Sequence, residues 1–314
     1  VATIGKLKFS RVKAMPRPEL ALSRYLRVCQ IAYLALFAII VTGSLVRLTG
    51  SGLGCVDWPA CNSAKFVDVS STHAAIEQVN RLFTGFVTIA VMAAVGLSLF
   101  LQPRIRALTM LSWGLVAGVL AQIIIGGIVV LTGLNPYSNI LHFLVSIVLM
   151  TNAVVLIHRV RQEIDVQNQQ VRPPPSLSNG TRKLRFTVVA LCGLSIVLGT
   201  VVTGAGPHAG DEDAIRLGLS ISWAARLHSS AVWCCLLAAV VLFFRIRTLR
   251  SEYDVLGHSL QVFLFWCISQ GLLGYLQYFS GVPAPLVALH IAGSVMVWVS
   301  VLQLQLSTHS EASV

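Results

Sequence analysis

Apolar residues in this 314-residue chain come in eight long blocks, separated by stretches where polar residues, glycine and proline gather. The blocks lie near 28–49, 78–101, 107–132, 139–158, 185–204, 222–244, 257–280 and 285–306. Each approaches or exceeds the ~20 residues that a helix needs to cross a hydrocarbon core of about 30 Å. A transmembrane barrel would show shorter segments alternating apolar with polar, so the pattern predicts helices.

The pattern is also written twice. "QIIIGGIVVLTGLNPYSNILH", from Gln122, aligns with "QGLLGYLQYFSGVPAPLVALH", from Gln270: Gln122 falls on Gln270, Gly126 on Gly274, Gly133 on Gly281, Leu141 on Leu289 and His142 on His290. The same offset of 148 carries Asn80 onto His228, and "GSLVRLTGSG" resembles "GTVVTGAG" with a two-residue gap. An offset of four helices keeps both copies in one orientation, a parallel repeat. The expected architecture is an all-α integral membrane protein, with eight transmembrane helices as two tandem four-helix bundles related by an internal repeat. Its parts are a basic segment at 1–27, a first bundle at 28–160, a linker at 161–184, a second bundle at 185–306 and a tail at 307–314. The linker's "QEIDVQNQQVRPPPSLSNGTRK" is too polar and proline-rich for a packed core.

Composition agrees, at 55% hydrophobic and 11% charged. The formal net charge of +11 would suggest nucleic acid for a soluble protein, but here position decides. All but five of the 23 lysines and arginines fall in the leading segment or in the second-to-third, fourth-to-fifth and sixth-to-seventh connections. The positive-inside bias then puts both termini in the cytoplasm, with lipid as the partner and no nucleic acid. The leading segment lacks the short apolar region and cleavage site of a removable signal, so the first helix is expected to be retained.

Topology assigns "GSGLGCVDWPAC" to the outer side, where thiols oxidise. Cys55 and Cys61 are therefore a candidate disulfide, against the alternative of two free loop thiols. Cys29, Cys192, Cys234, Cys235 and Cys267 read as small apolar packing residues within helices.

His142, His228 and His290 lie near the outer ends of even-numbered helices, where a polar ring needs a partner. His228 and His290 share one level on helices six and eight, the arrangement by which two imidazoles ligate a haem iron, although either ring alone reads as a hydrogen-bonded core histidine. The first bundle keeps His142 but has Asn80 at the second position. An amide is a poor iron ligand, so this half suits a reaction site better than an electron-transfer site. Asn80 as a simple helix hydrogen-bonder is the other reading. Glu77 lies one turn before Asn80, whereas its counterpart is Ala225. It reads either as a first-turn carboxylate stabilised by the helix dipole or as a group that accepts a proton, orients water or stabilises positive charge. Arg47, Arg81 and Arg226 are candidate partners for haem propionates, or snorkel to the interface. His73 and His208 read as loop or capping residues. His158, His258 and His309 are too far from the paired level.

"TGSLVRLTGSGLGCVDWPAC", "IEQVNRLFTG", "LHFLVSIV", "VTGAGPHAGD", "RLHSS" and "ALHIAGS" together resemble the haem A synthase family of cytochrome oxidase assembly, over nearly the whole chain. The resemblance implies oxidation of the C8 methyl of haem O to a formyl group, with oxygen from water. It implies haem b on His228 and His290, and a substrate site with His142 and Glu77, to which Asn80 and Arg81 belong by position. It also implies an electron acceptor, which the sequence does not identify, and association with haem O synthase and oxidase assembly factors. Two departures stand out: many members have histidine at the position of Asn80, and many carry a second cysteine pair in the fifth-to-sixth loop, as an actinobacterial-type branch would not. The alternatives are a dihaem membrane electron carrier, which would want two complete histidine pairs, and a haem transporter or chaperone, which would not need Glu77.

Overall fold

The computed structural model describes residues 22–169 and 176–307. Most of the basic leading segment, with Lys6, Lys8, Arg11, Lys13 and Arg17, lies outside the described residues, as do Arg172 of the linker and His309 of the tail. Among the described residues there are eight α-helices: α1 (Leu22–Leu48), α2 (Thr72–Ser98), α3 (Arg106–Leu131), α4 (Pro136–Gln167), α5 (Asn179–Ala205), α6 (Ile221–Arg247), α7 (Arg250–Phe279) and α8 (Ala284–Leu306). All eight are long and apolar enough to cross a membrane.

Capping chemistry fixes several of the boundaries. Ser71 accepts from Ala74 N at 3.1 Å to start α2, and Asn135 accepts from Tyr137 N at 3.0 Å to start α4, with Pro136 at its first position. Helices α3 and α7 end alike. Leu134 N donates to Val129 O and Val282 N to Gln277 O, both at 2.8 Å, with Gly133, Leu134, Gly281 and Val282 all at positive φ. These turns are related by the offset of 148, so the repeat seen in sequence is also a repeat of backbone hydrogen bonds.

Two helices run further than their apolar blocks predict. Helix α4 continues through Gln167 and α7 starts at Arg250, because polar residues extend a helix past the apolar block and hydropathy registers only that block. The end of the polar linker is likewise ordered. Ser178 caps α5, Thr181 is fully buried, and Glu252 of α7 accepts from Ser178 N at 2.7 Å and from the Thr181 hydroxyl at 2.5 Å. Arg245 of α6 adds bonds to both hydroxyls, so three helix ends are tied by one buried carboxylate. This corrects the expectation that the linker's composition keeps it out of packed structure: hydrogen bonds to Glu252 supply what apolar residues do not.

Helices α1 to α4 pack around one another, as do α5 to α8, and the two groups meet through α1, α4, α5 and α8. Tyr25, Leu108, Leu115 and Met150 anchor the first core, and Leu242, Leu256, Leu260 and Phe263 the second. Small residues Ala32, Ala35, Ala90 and Ala94 are buried on α1 and α2, as in helix contacts that cannot rely on exclusion of water. Trp298 of α8 reaches across the junction, its indole N–H donating to Thr151 of α4 at 2.8 Å. Of the cysteines expected to be packed, Cys29, Cys192, Cys235 and Cys267 are buried, but Cys234 is exposed. The neighbours Cys234 and Cys235 lie about 100° apart around α6, so they cannot both face its interior.

The loops divide by end. At one end, Gly52 N donates to Gly210 O at 2.9 Å, and His208 Nε2 donates to Val282 O at 2.8 Å. These contacts gather the loops after α1, α5 and α7. Arg185 donates to Gln305 O at 2.6 Å at the other end, where Glu252 also lies.

Candidate functional site

Beneath the first group of loops lies one continuous cavity of about 1230 Å³, lined by Arg47, Glu77, Asn80, Arg81, His142, Arg226, His228 and His290. Every candidate binding residue of both halves therefore opens onto a shared space. It exceeds the roughly 300–1,000 Å³ of a typical small-molecule pocket.

In the second half, the His228 and His290 rings stand 6.4 Å apart between centroids and nearly perpendicular, at 82°. Two imidazoles on opposite sides of one metal, with bonds of about 2.0–2.1 Å, have about this separation. His228 Nδ1 lies 2.8 Å from Ser195 O. A carbonyl only accepts, so Nδ1 carries the proton and Nε2 keeps its lone pair for a metal. His290 Nδ1 is buried without a hydrogen-bond partner.

In the first half, His142 Nδ1 is likewise buried without a partner, and so is Asn80 Oδ1. Asn80 Oδ1 therefore makes no hydrogen bond to its helix. Gln122 secures the turn that carries His142, donating to His142 O at 3.0 Å and to the Ser146 hydroxyl at 2.5 Å.

A glycine faces each of the four positions. A Cβ on Gly199 would lie 3.2 Å from the His228 ring, one on Gly274 3.1 Å from that of His290, one on Gly126 3.5 Å from that of His142 and one on Gly43 3.9 Å from the Asn80 amide. The approaches at Gly199 and Gly274 are tighter than ordinary contact, so these two glycines keep space beside the rings, while at Gly126 and Gly43 the distances are those of ordinary contact. The repeat had put Gly126 in register with Gly274, and Gly43 with Gly199, but without the helix pairing their role opposite the rings was not visible. Buried unpaired ring nitrogens, the 6.4 Å pair and the glycine notches together fit a flat, metal-centred macrocycle.

Glu77 is only 5% exposed, and both of its oxygens are engaged. Oε2 accepts from Cys55 N at 2.7 Å, while Oε1 accepts from Arg81 Nε at 3.0 Å and Nη2 at 2.5 Å. The Arg81 guanidinium also donates to Asp57 O and Ala60 O. The pair thus grips the loop backbone between Cys55 and Cys61, a more specific setting than a first-turn carboxylate on a helix dipole. Cys55 and Cys61 form a disulfide, both buried. Trp58, Pro59 and Phe66 of this loop line the cavity, and a Cβ on Gly127 of α3 would come within 2.8 Å of the Trp58 ring. The loop therefore lies over the first half and rests on α3.

Arg47 donates to Thr203 O at 2.7 Å, bridging α1 to α5, while its Nε is buried and unpaired. Arg226 is exposed at the rim. His73, in the first turn of α2, pairs with the Ser51 hydroxyl at 2.9 Å and His208 with a loop carbonyl, so each ties a loop locally.

Fold and cavity define a multi-pass helical membrane protein that gathers histidines and a buried carboxylate into one apolar chamber. Residues 27–302 match the family model COX15-CtaA, described as cytochrome oxidase assembly protein, and the chain belongs to that family. Among curated relatives it is similar to the Heme A synthases of Lysinibacillus sphaericus (31% identity over 145 residues, 46% of this chain and 47% of the relative), Bacillus pumilus (30% over 169, 53% of each) and Listeria welshimeri (31% over 178, 54% and 55%). The chain spans about half the length of the curated relatives it matches.

Proposed function

We propose that this protein is a haem A synthase, which oxidises the C8 methyl of haem O to a formyl group in its first bundle and holds haem b in its second. One observation carries the reading: the second half has a histidine pair 6.4 Å apart, whereas the first sets His142 against Asn80 and adds a buried carboxylate, Glu77. Family membership and the named relatives support it.

His228 and His290 would hold the iron of haem b, with the Ser195 carbonyl fixing the tautomer of His228. When bound, haem b supplies one-electron transfer. His142 holds the substrate haem O from one side, and Asn80, too weak a ligand to compete, leaves the other side open. Glu77 lines the same half of the cavity, its charge balanced by Arg81, where it would stabilise positive charge or take a proton as the methyl is oxidised with oxygen from water. Arg47, with an unpaired buried N–H, and Arg226 at the rim are the propionate partners. The disulfide loop is a lid on the reacting half.

Both termini are cytoplasmic in this reading, since the basic connections flank one end of the bundle, and both haem sites lie toward the outer face of a prokaryotic plasma membrane. Electrons pass to an external acceptor. Haem O synthase and oxidase assembly factors are the expected partners. A dihaem carrier is disfavoured by Asn80, and a transporter would use Glu77 only as a clamp on the disulfide loop. Incubating the purified protein in membranes with haem O and an electron acceptor, then extracting the porphyrins, tests the proposal. Hydroxylated and formylated products are expected; recovery of haem O alone overturns it.

A further inference from the structure

The halves differ at the seam between the two helices that flank each cavity wall. At the offset of 148, Trp233 of α6 corresponds to Gly85 of α2, and Tyr275 of α7 to Gly127 of α3. In the second half the Trp233 indole N–H donates to the Tyr275 hydroxyl at 3.0 Å, a bar from α6 to α7. Both side chains line the cavity, and both face outward, 58% and 42% exposed.

The first half has no side chain at either position. Gly85 lines the cavity and is exposed on the helix surface, and a Cβ there would meet nothing within 4 Å. Leu82, one turn away, lines the cavity while 60% exposed. Gly127 is covered by Trp58 of the disulfide loop rather than by a neighbour on α2. These residues lie on helices long and apolar enough to span a membrane, so the seam faces the zone that lipid would occupy; Ile268 and Leu272 of α7 line the cavity and are exposed as well, so it is the side-chain bar that distinguishes the halves.

We infer that the α2–α3 seam is a lateral doorway between the bilayer and the first half of the cavity, used by a tetrapyrrole that carries a long apolar tail, and that the Trp233–Tyr275 bar closes the equivalent seam over a resident group. A substrate must come and go, and its isoprenoid tail is most stable when it never leaves hydrocarbon. A resident cofactor has neither need. The identity of the tetrapyrrole rests on the proposed function; the doorway itself does not.

The test transplants the bar and removes it, in nanodiscs, with binding as the readout. Gly85→Trp places an indole in open space and is expected to slow uptake of haem O from the bilayer at least about tenfold, followed as the spectral change that His142→Ala abolishes, while the second half's low-spin spectrum stays as it is. Gly85→Ala, which leaves the seam open, should take up haem O at the wild-type rate, and Gly85→Leu replaces Gly85→Trp if the latter does not fold. Trp233→Gly is expected to speed loss of haem b to apomyoglobin at least about tenfold with its spectrum unaltered before loss. Unchanged uptake in Gly85→Trp, or unchanged loss in Trp233→Gly, overturns the inference. Haem O that is taken up through an unblocked seam but never oxidised overturns the proposed reaction and leaves the doorway standing.

Discussion

Helix α3 ends with the hydrogen bonds that end α7, down to the left-handed residues at Gly133–Leu134 and Gly281–Val282, yet the histidines carried by the helices that follow, α4 and α8, meet different partners. His290 faces His228 across 6.4 Å, with Gly274 and Gly199 keeping space beside the rings. His142 shares its half with Asn80, beside Gly126 and Gly43, under a loop gripped by Glu77 and Arg81. The helical frame and its glycine notches are held in common. Around the cavity, what differs is the Asn80/His228 position, one carboxylate, one loop and one seam. On the proposed reading, a duplicated scaffold acquires two chemistries through few residues, provided that the backbone stays put.

The comparison is easiest to break in the second half. His228→Ala or His290→Ala should abolish the low-spin haem spectrum of the purified protein while leaving haem O binding in the first half; an unchanged spectrum would remove the resident site from the account. Glu77→Gln retains an acceptor for Cys55 N–H but loses the charge. Product formation should fall by about 100-fold or more with the low-spin spectrum intact, in line with the weight of a positioned acid or base. Normal turnover would reduce Glu77 to a clamp on the loop.

Asn80→His sharpens the comparison, because Gly43 stands opposite Asn80 as Gly199 stands opposite His228. On addition of haem O a second low-spin component should appear and turnover should slow. If none appears, the two notches are not equivalent. The smallest effect belongs to the clamp that the second half alone possesses: Glu252→Ala removes the acceptor of the Ser178 N–H and of the Thr181 O–H and should cost about 1–3 kcal/mol, read as a lower thermal midpoint in detergent. Arg104 occupies the corresponding place in the first half, so no matching carboxylate exists there.

Much of this was legible in the chain. Eight apolar blocks and the single offset from Asn80 through His142 define helix number, repeat and the paired level of His228 and His290, because membrane-spanning length and ligand depth are both properties of one segment. What escaped depends on neighbouring segments. The Ser195 carbonyl is a backbone atom with no side-chain signature, and a glycine notch means something only once the facing helix is known. The engagement of Glu77 by Cys55 N and Arg81 required the loop to fold back over α2. Hydropathy also stops where lipid stops, so the polar turns of α4 and α7 and the Glu252 clamp were read as connection.

The central claim is that the halves hold two tetrapyrroles differently, one as cofactor and one as substrate. Electron paramagnetic resonance of the haem b-loaded protein before and after addition of haem O tests this most directly. The account predicts that added haem O contributes a signal separate from the bis-histidine one, lost in His142→Ala, and that this haem O is the population converted to formylated product. Displacement of haem b by haem O, or a second bis-histidine signal in the wild-type protein, would contradict it.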